Sequence, residues 1–194
     1  MSFRAPKKRE PVGETGLFEY AVGVLARKMR TVRDLRRLMR NRAEPGEVGE
    51  RAMDAVCGRL KDLGYLSDPR FAADYTRLRK ENEKFGRRRV QQDLMQKGVH
   101  KELIAATLAT AYDAVDEVGL AREYVARKRM KKPGGANAQK ETARVMGRLM
   151  RAGFSSGAIY KVLREWGLPE EAMPVEGGTD SDSYAERDED LPEF

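Results

Sequence analysis

The sequence predicts an all-α protein, an elongated, curved array of three tandem three-helix repeats. Three observations carry that prediction. Apolar residues recur at helical spacing along nearly the whole chain, and no apolar/polar alternation is long enough for a strand. Cap residues, glycines and prolines punctuate the chain at regular intervals. The pattern also repeats: Val90, Leu94, Gly98, Val99, Ile104 and Leu108 align without a gap on Val145, Leu149, Gly153, Phe154, Ile159 and Leu163. Leu35 and Met39, followed by Ala43, fit the frame more loosely, with Thr31 at the cap position that Gly86 takes in the second unit. Units of this size that bury each other's faces make a stacked array. The alternative is three unrelated helix pairs with generic punctuation.

In order, Leu17, Ala21, Val24 and the stem of Lys28 begin the first amphipathic face. Thr31 with Asp34 forms a capping box that opens a helix through Leu35, Leu38 and Met39. After Glu44-Pro45-Gly46 a third helix carries Val48, Ala52, Val56, Leu60 and Leu63, and Gly64 ends it in the left-handed conformation. Ser67-Asp68-Pro69 joins a cap to a proline at the helix start, opening a helix that should bury Phe71, Tyr75 and Leu78. The Phe85-Gly86 turn leads to a helix with Val90 and Leu94 closed by Gly98, then one through Ile104, Leu108 and Ala111. A further helix from about Asp113 holds Val115, Val118, the stem of Arg122 and Val125, up to the Pro133-Gly134-Gly135 loop. Helices through Val145 and Leu149 to Gly153, and through Ile159, Leu163 and Trp166, complete the array. The expected organisation is a disordered basic N-terminus (1–16), repeats at 17–66, 67–112 and 113–168, and a disordered acidic tail (169–194).

Composition narrows the function. The longest uncharged stretch, Leu103 to Tyr112, is far shorter than the roughly 20 residues a membrane helix needs. Cys57 is the only cysteine, so no disulfide framework is possible and a reducing, cytoplasmic setting is expected. The basic start, Met1 to Pro11, lacks the apolar core of a secretory signal. Residues 1–168 hold 37 Lys and Arg against 21 Asp and Glu, while residues 169–194 hold one against ten. A net charge of +7 therefore conceals a strongly basic body and an acidic tail. Such a body suits an acidic partner: nucleic acid, an anionic membrane surface or an acidic protein groove.

Catalysis has little support. There is no phosphate-binding glycine loop and no cysteine pair for a metal, so neither a cofactor nor a metal is expected. The lone His100 reads as an exposed residue at a helix start. Gly153-Phe154-Ser155-Ser156-Gly157 spells the G-x-S-x-G of a hydrolase elbow, which works only on a strand-to-helix turn beside a histidine base. Here a helix precedes it, and Gly153 as C-cap with Ser155 as N-cap explains it. Asp68, Asp74 and Asp93 likewise read as caps and solvated surface. The positive signal is basic: Arg36, Arg37 and Arg40, then Arg87, Arg88 and Arg89, then Arg127, Lys128, Arg129, Lys131 and Lys132. One cluster per unit, at corresponding places, would form a stripe able to track phosphates. Solvated helix faces are the plainer account of any one of them. Aromatic interleaving is weak, because Tyr65, Phe71, Tyr75 and Trp166 are expected in the core.

Leu60, Leu63, Gly64, Tyr65, Leu66, Ser67, Asp68, Phe71, Ala72 and Tyr75, followed by Gly86, Arg89, Val90, Leu94, Lys97, Gly98 and Val99, resemble the signature of the RecX regulatory proteins, modulators of the RecA recombinase. The likeness is clearest in mid-chain, and the repeat extends it over about residues 17–166. It implies a non-catalytic, elongated helical protein that binds RecA, lies in the groove of its filament on DNA, and inhibits or remodels that filament. Extension, ATP hydrolysis, strand exchange and coprotease activity would all fall, with DNA as a secondary partner and the protein a monomer. Leu60, Gly64, Tyr65, Asp68, Phe71, Tyr75, Leu94 and Gly98 are then fold-defining, and the recurrent Arg and Lys are the contact candidates. A sequence-nonspecific architectural DNA-binding protein independent of RecA is the rival reading. Two features depart from the family pattern. Ala43 stands where the other units carry Gly98 and Gly153, so its turn is expected to differ. The tail ends Asp188-Glu189-Asp190-Leu191-Pro192-Glu193-Phe194, similar to the acidic, Phe-terminated tip of bacterial single-stranded DNA-binding proteins. It competes with DNA for the basic face, docks on proteins that recognise such tips, or only solubilises the chain.

Overall fold

The computed structural model describes residues 10–168, so the expectations for residues 1–9 and for the tail at 169–194 lie outside the described residues. The described chain folds into α1 (Glu14–Arg27), α2 (Val32–Arg40), α3 (Glu47–Asp62), α4 (Asp68–Glu81), α5 (Arg87–Gln96), α6 (Lys101–Tyr112), α7 (Glu117–Arg127), α8 (Ala138–Arg151) and α9 (Ser156–Glu165). A short 3-10 turn, Gly135–Asn137, precedes α8. Helix α1 starts inside the segment expected to be disordered. Its approach is pinned because the Val12 amide donates to the Arg42 carbonyl at 2.8 Å, an anchor with no local sequence signal.

Local chemistry sets the helix ends. The hydroxyls of Thr31, Ser67 and Ser155 accept from the amides of Asp34 (3.1 Å), Arg70 (3.3 Å) and Ala158 (3.3 Å). Each fills one of the donors a helix start leaves open. At the other ends Gly64, Gly98, Gly153 and Gly167 all have φ between 67° and 90°. The amides of the residues that follow, Tyr65, Val99, Phe154 and Leu168, donate to the carbonyls of Leu60, Leu94, Leu149 and Leu163. These are four Schellman closures of one design.

Three apolar cores form. Leu17, Ala21, Leu35, Met39, Met53, Val56, Leu60 and Leu66 build the first. Phe71, Ala72, Val90, Leu94, Val99, Ile104 and Leu108 build the second. The third gathers Leu120, Tyr124, Leu149, Phe154, Ile159, Val162 and Leu163 with their neighbours. Several expected core positions turn outward. Helix α4 buries Phe71, Ala72 and Thr76, and Leu78 lies roughly 90° from the centre of that face and is exposed. Val48 and Leu63 at the two ends of α3 are also exposed. Helix α7 begins after the cap Asp116 rather than at Asp113, and buries Leu120, Ala121, Tyr124 and Val125. Arg122, whose stem the spacing placed on the inner face, instead makes a two-pronged pair with Glu165.

Successive units meet end to end through their middle helices. The amide of Gly86, the N-cap of α5, donates to the Ala152 carbonyl at 2.8 Å, and the Arg88 amide donates to the Gly153 carbonyl at 3.3 Å. One step along, the Thr31 hydroxyl donates to the Lys97 carbonyl at 2.7 Å. The C-terminus of α8 thus faces the N-terminus of α5, and that of α5 faces α2. This explains Ala43. No middle helix follows α2, and the Arg42 carbonyl is taken by Val12 instead. A Cβ on Gly153 would lie 2.2 Å from the Arg89 nitrogen, and one on Gly86 2.3 Å from the Gly153 oxygen. Gly64, at φ 73°, has open space around it.

Three substitutions separate these effects. Gly64→Ala should cost about 1 kcal/mol for its left-handed backbone alone. Gly86→Ala, at an ordinary φ of −71°, should lose about 1–3 kcal/mol through steric conflict alone. Gly153→Ala should lose about the sum. Urea unfolding of the three variants measures this, and equal losses at Gly64 and Gly153 would refute the account of the joint.

Candidate nucleic-acid interface

The basic residues singled out by the sequence fall into two kinds. Arg36 reaches from α2 to α3, where it pairs with Glu50 at 2.5 Å and with Asp54. Arg40 shares Glu50 at 3.2 Å, and Arg37 lies 3.7 Å from Asp34. The first cluster is therefore largely neutralised within its own unit, with Arg36 acting as a brace between helices. Desolvation opposes the charge of Arg36, but hydrogen bonding to the two carboxylates prevails and raises its pKa.

The second cluster opens outward. Arg87 and Arg88 occupy the exposed first turn of α5, which holds no acidic residue. Cations at a helix N-terminus oppose the macrodipole, so local stability does not explain them. Arg89 turns inward, its Nε 3.0 Å from the buried Asp93 carboxylate. Asp93 also accepts from the Tyr75 hydroxyl at 3.0 Å, and burial followed by this carboxylate pushes the Tyr75 phenol up to about 12. Asp93 is thus a structural acceptor. The third cluster does not sit at a corresponding place: it follows α7, the first helix of its unit, rather than lying on the middle helix α8. Arg127 and Lys128 share Glu83 at 3.3 and 3.4 Å. Arg129, Lys131 and Lys132 are exposed with no ion pair among the described residues. Arg129 also holds a left-handed backbone, φ 48°, unusual for a residue other than glycine.

Sequence reasoning missed the basic face of α8. Lys140, Arg144, Arg148 and Arg151 are exposed at helical spacing, with no ion pair among the described residues. That spacing was the available signal. Tyr124 lies between Phe85 and Phe154, at ring-centroid distances of 6.2 and 5.7 Å. Burial raises its phenol pKa, while Arg148, Arg151 and Arg89 pull against that rise. The Lys128 ammonium lies 5.9 Å from the same ring. Charges from α5, α8 and the end of α7 therefore converge where the second and third units join.

The signature residues serve the fold in different ways. Leu60 and Leu94 are fully buried beside the closures at Gly64 and Gly98, and Phe71 stacks on Tyr75 at 5.6 Å. Asp68 accepts the Val32 amide at 2.9 Å, tying the second unit to the first. Tyr65 is the exception. It is 64% exposed and contributes nothing to the core. In the hydrolase-like pentapeptide, Ser155 caps α9 and donates to Glu117 at 2.6 Å, while His100 stands at the start of α6 without a side-chain cap bond and contacts Glu102. Among the described residues no group of three or more His, Cys, Asp and Glu is placed to hold a metal, and no helix is long and apolar enough to cross a membrane.

Comparison with known proteins agrees with this geometry. Models of the second and third three-helix domains of RecX match residues 67–108 and 123–163. The regulatory protein RecX of Mycobacterium ulcerans is 30% identical over 163 residues, 84% of this chain and 91% of that protein. RecX of Amycolatopsis mediterranei is 31% identical over 147 residues, 76% of this chain and 81% of the other. The crystal structure of RecX from Lactobacillus salivarius superposes with a TM-score of 0.59 at 18% identity, covering 79% of this chain and 96% of that one.

Two measurements distinguish bracing from binding arginines. Arg88→Ala should lower the salt dependence of DNA affinity by about one unit of slope, whereas Arg36→Ala should leave the slope unchanged and cost up to about 1 kcal/mol of stability. Arg129→Gly should stabilise the fold by about 1 kcal/mol and yet weaken DNA binding in the same titration. A gain in stability with unchanged affinity would assign Arg129 no contact.

Proposed function

The chain belongs to the RecX family of regulatory proteins, and from that premise we propose that it binds RecA and its DNA filament in the helical groove and inhibits or remodels it. Filament extension is blocked, and ATP hydrolysis, strand exchange and coprotease activity fall with it. The chain works by binding, as a monomer and without a cofactor. The observation that carries this reading is the convergence of Arg88, Arg89, Arg148, Arg151 and Lys128 on one joint between rigid units. Of these, Arg88, Arg148 and Arg151 have no ion pair among the described residues, and such cations held on helices suit a partner with regularly spaced negative charge. Arg87 and Arg88 sustain an unfavourable position at a helix start that a bound anion would relieve.

The test follows ATP hydrolysis by the cognate RecA on single-stranded DNA while this protein is titrated upward from far below stoichiometric amounts. Binding to bare DNA is recorded in the same buffer. Loss of hydrolysis at substoichiometric ratios is expected. A fall only when enough protein is present to coat the strand would replace the RecA reading with that of an architectural DNA-binding protein.

A further inference from the structure

The four glycine-centred Schellman closures are alike except in one respect. The residue after the glycine normally packs back on the helix it closes, and Val99, Phe154 and Leu168 are all buried in this way. Tyr65 makes the same backbone hydrogen bond to the Leu60 carbonyl, at 2.9 Å, yet presents its ring to solvent. The next residue, Leu66, is buried and also donates to Leu60, so the segment is fixed on both sides of the exposed ring. Here an aromatic side chain at a closure stands on the surface as a platform held by a fixed backbone.

Its surroundings are one-sided in charge. A surface pocket beside Tyr65 is lined by Leu25, Met29, Arg30, Gly64, Ser67 and Arg70, without a single carboxylate. Neither Arg30 nor Arg70 has an ion-pair partner among the described residues, and the Nε of Arg30 is buried with no hydrogen-bond acceptor. A buried guanidinium N–H left unpaired costs free energy that a bound acceptor would recover. Arg30 also lines the neighbouring pocket, where Arg27 and Arg42 stand with a single carboxylate, Glu19. Arg70 stands in the first turn of α4, where its charge opposes the helix dipole and that of Asp68 complements it.

We propose that Tyr65, with Arg30 and Arg70, forms a subsite for single-stranded nucleic acid, in which one unstacked base lies on the Tyr65 ring and the flanking phosphates are held by the two guanidiniums. An aromatic face accepts any base, because every base has a π-face, and the arginines supply the backbone contacts. Double-stranded DNA keeps its bases stacked inside and cannot use the platform. This inference rests on the reading that DNA is among the partners, but it concerns a surface remote in sequence from the α5 and α8 arginines. The joint between the first and second units thereby discriminates single from double strand, while the joint between the second and third units binds charge.

The test uses the full chain with a fluorescein-labelled oligo(dT) and a duplex of equal length, at one salt concentration. Tyr65→Ala should weaken oligo(dT) binding roughly 5- to 100-fold and leave duplex affinity within about twofold. Tyr65→Phe should behave as the unaltered protein, and Arg70→Ala should weaken oligo(dT) binding and lower its salt slope. Unchanged oligo(dT) affinity in Tyr65→Ala, with a loss in Arg88→Ala, would overturn the subsite and leave the proposed function standing. Equal losses on both DNAs would overturn the stacking role. Loss of RecA binding without loss of oligo(dT) binding would reassign the surface to protein. No binding of either DNA by the unaltered chain would overturn the subsite and the DNA reading together.

Discussion

The mutual satisfaction of helix ends is the interaction on which this architecture depends. Every helix leaves unpaired amides at its start and unpaired carbonyls at its end. In most proteins water and side chains take them up. Here the middle helices of the third and second units offer their ends to the start of the next: Ala152 and Gly153 carbonyls to the Gly86 and Arg88 amides, and the Lys97 carbonyl to the Thr31 hydroxyl. Opposite ends of the helix dipoles meet, which favours the contact electrostatically. The arrangement demands that no side chain intervene, so the glycines at 98 and 153 mark where another unit abuts. Ala43 marks where none does.

Much of the helical layout was legible because its determinants are local. Thr31, Ser67 and Ser155 cap as their spacing implied, and Gly64, Gly98 and Gly153 close helices as their positions implied. Which face turns inward was less legible. An apolar residue at the margin of a stripe, such as Leu78 or Leu63, is placed by the neighbouring helices, and sequence spacing does not contain them. The second role of Thr31 was invisible for the same reason: its hydroxyl accepts from Asp34 and also donates to a carbonyl 66 residues away.

The candidate interface divides along the same line. Counting charges located the basic clusters but could not tell a brace from a contact, since that depends on Glu50 and Asp54, which face Arg36 from another helix. Runs of adjacent cations draw the eye, whereas the α8 stripe is dispersed over a dozen residues and becomes a surface only when the helix is wound. Tyr65 failed as an expected core residue for a related reason. The backbone motif that contains it is common to five described helix ends, and nothing in the motif itself distinguishes the closure whose last residue faces solvent.

The two joints between units also differ in kind. Phe85 and Tyr112 pack against both the second and the third cores, and Phe85 meets Tyr124 across the boundary. Between the first and second units no apolar residue is shared by the two clusters. Hydrogen bonds from Thr31 to Lys97, from Val32 to Asp68 and from Arg33 to Gln96 hold that boundary instead. Apolar contacts resist separation through the area they remove from water, while hydrogen bonds exchange with water at small net cost. By that difference the joint beside Arg30, Tyr65 and Arg70 resists separation less than the basic joint between the second and third units does. For the proposed binding along a DNA filament such a division would be useful, because one stiff charged surface would set the register while a softer neighbouring joint would let the first unit adjust to the strand.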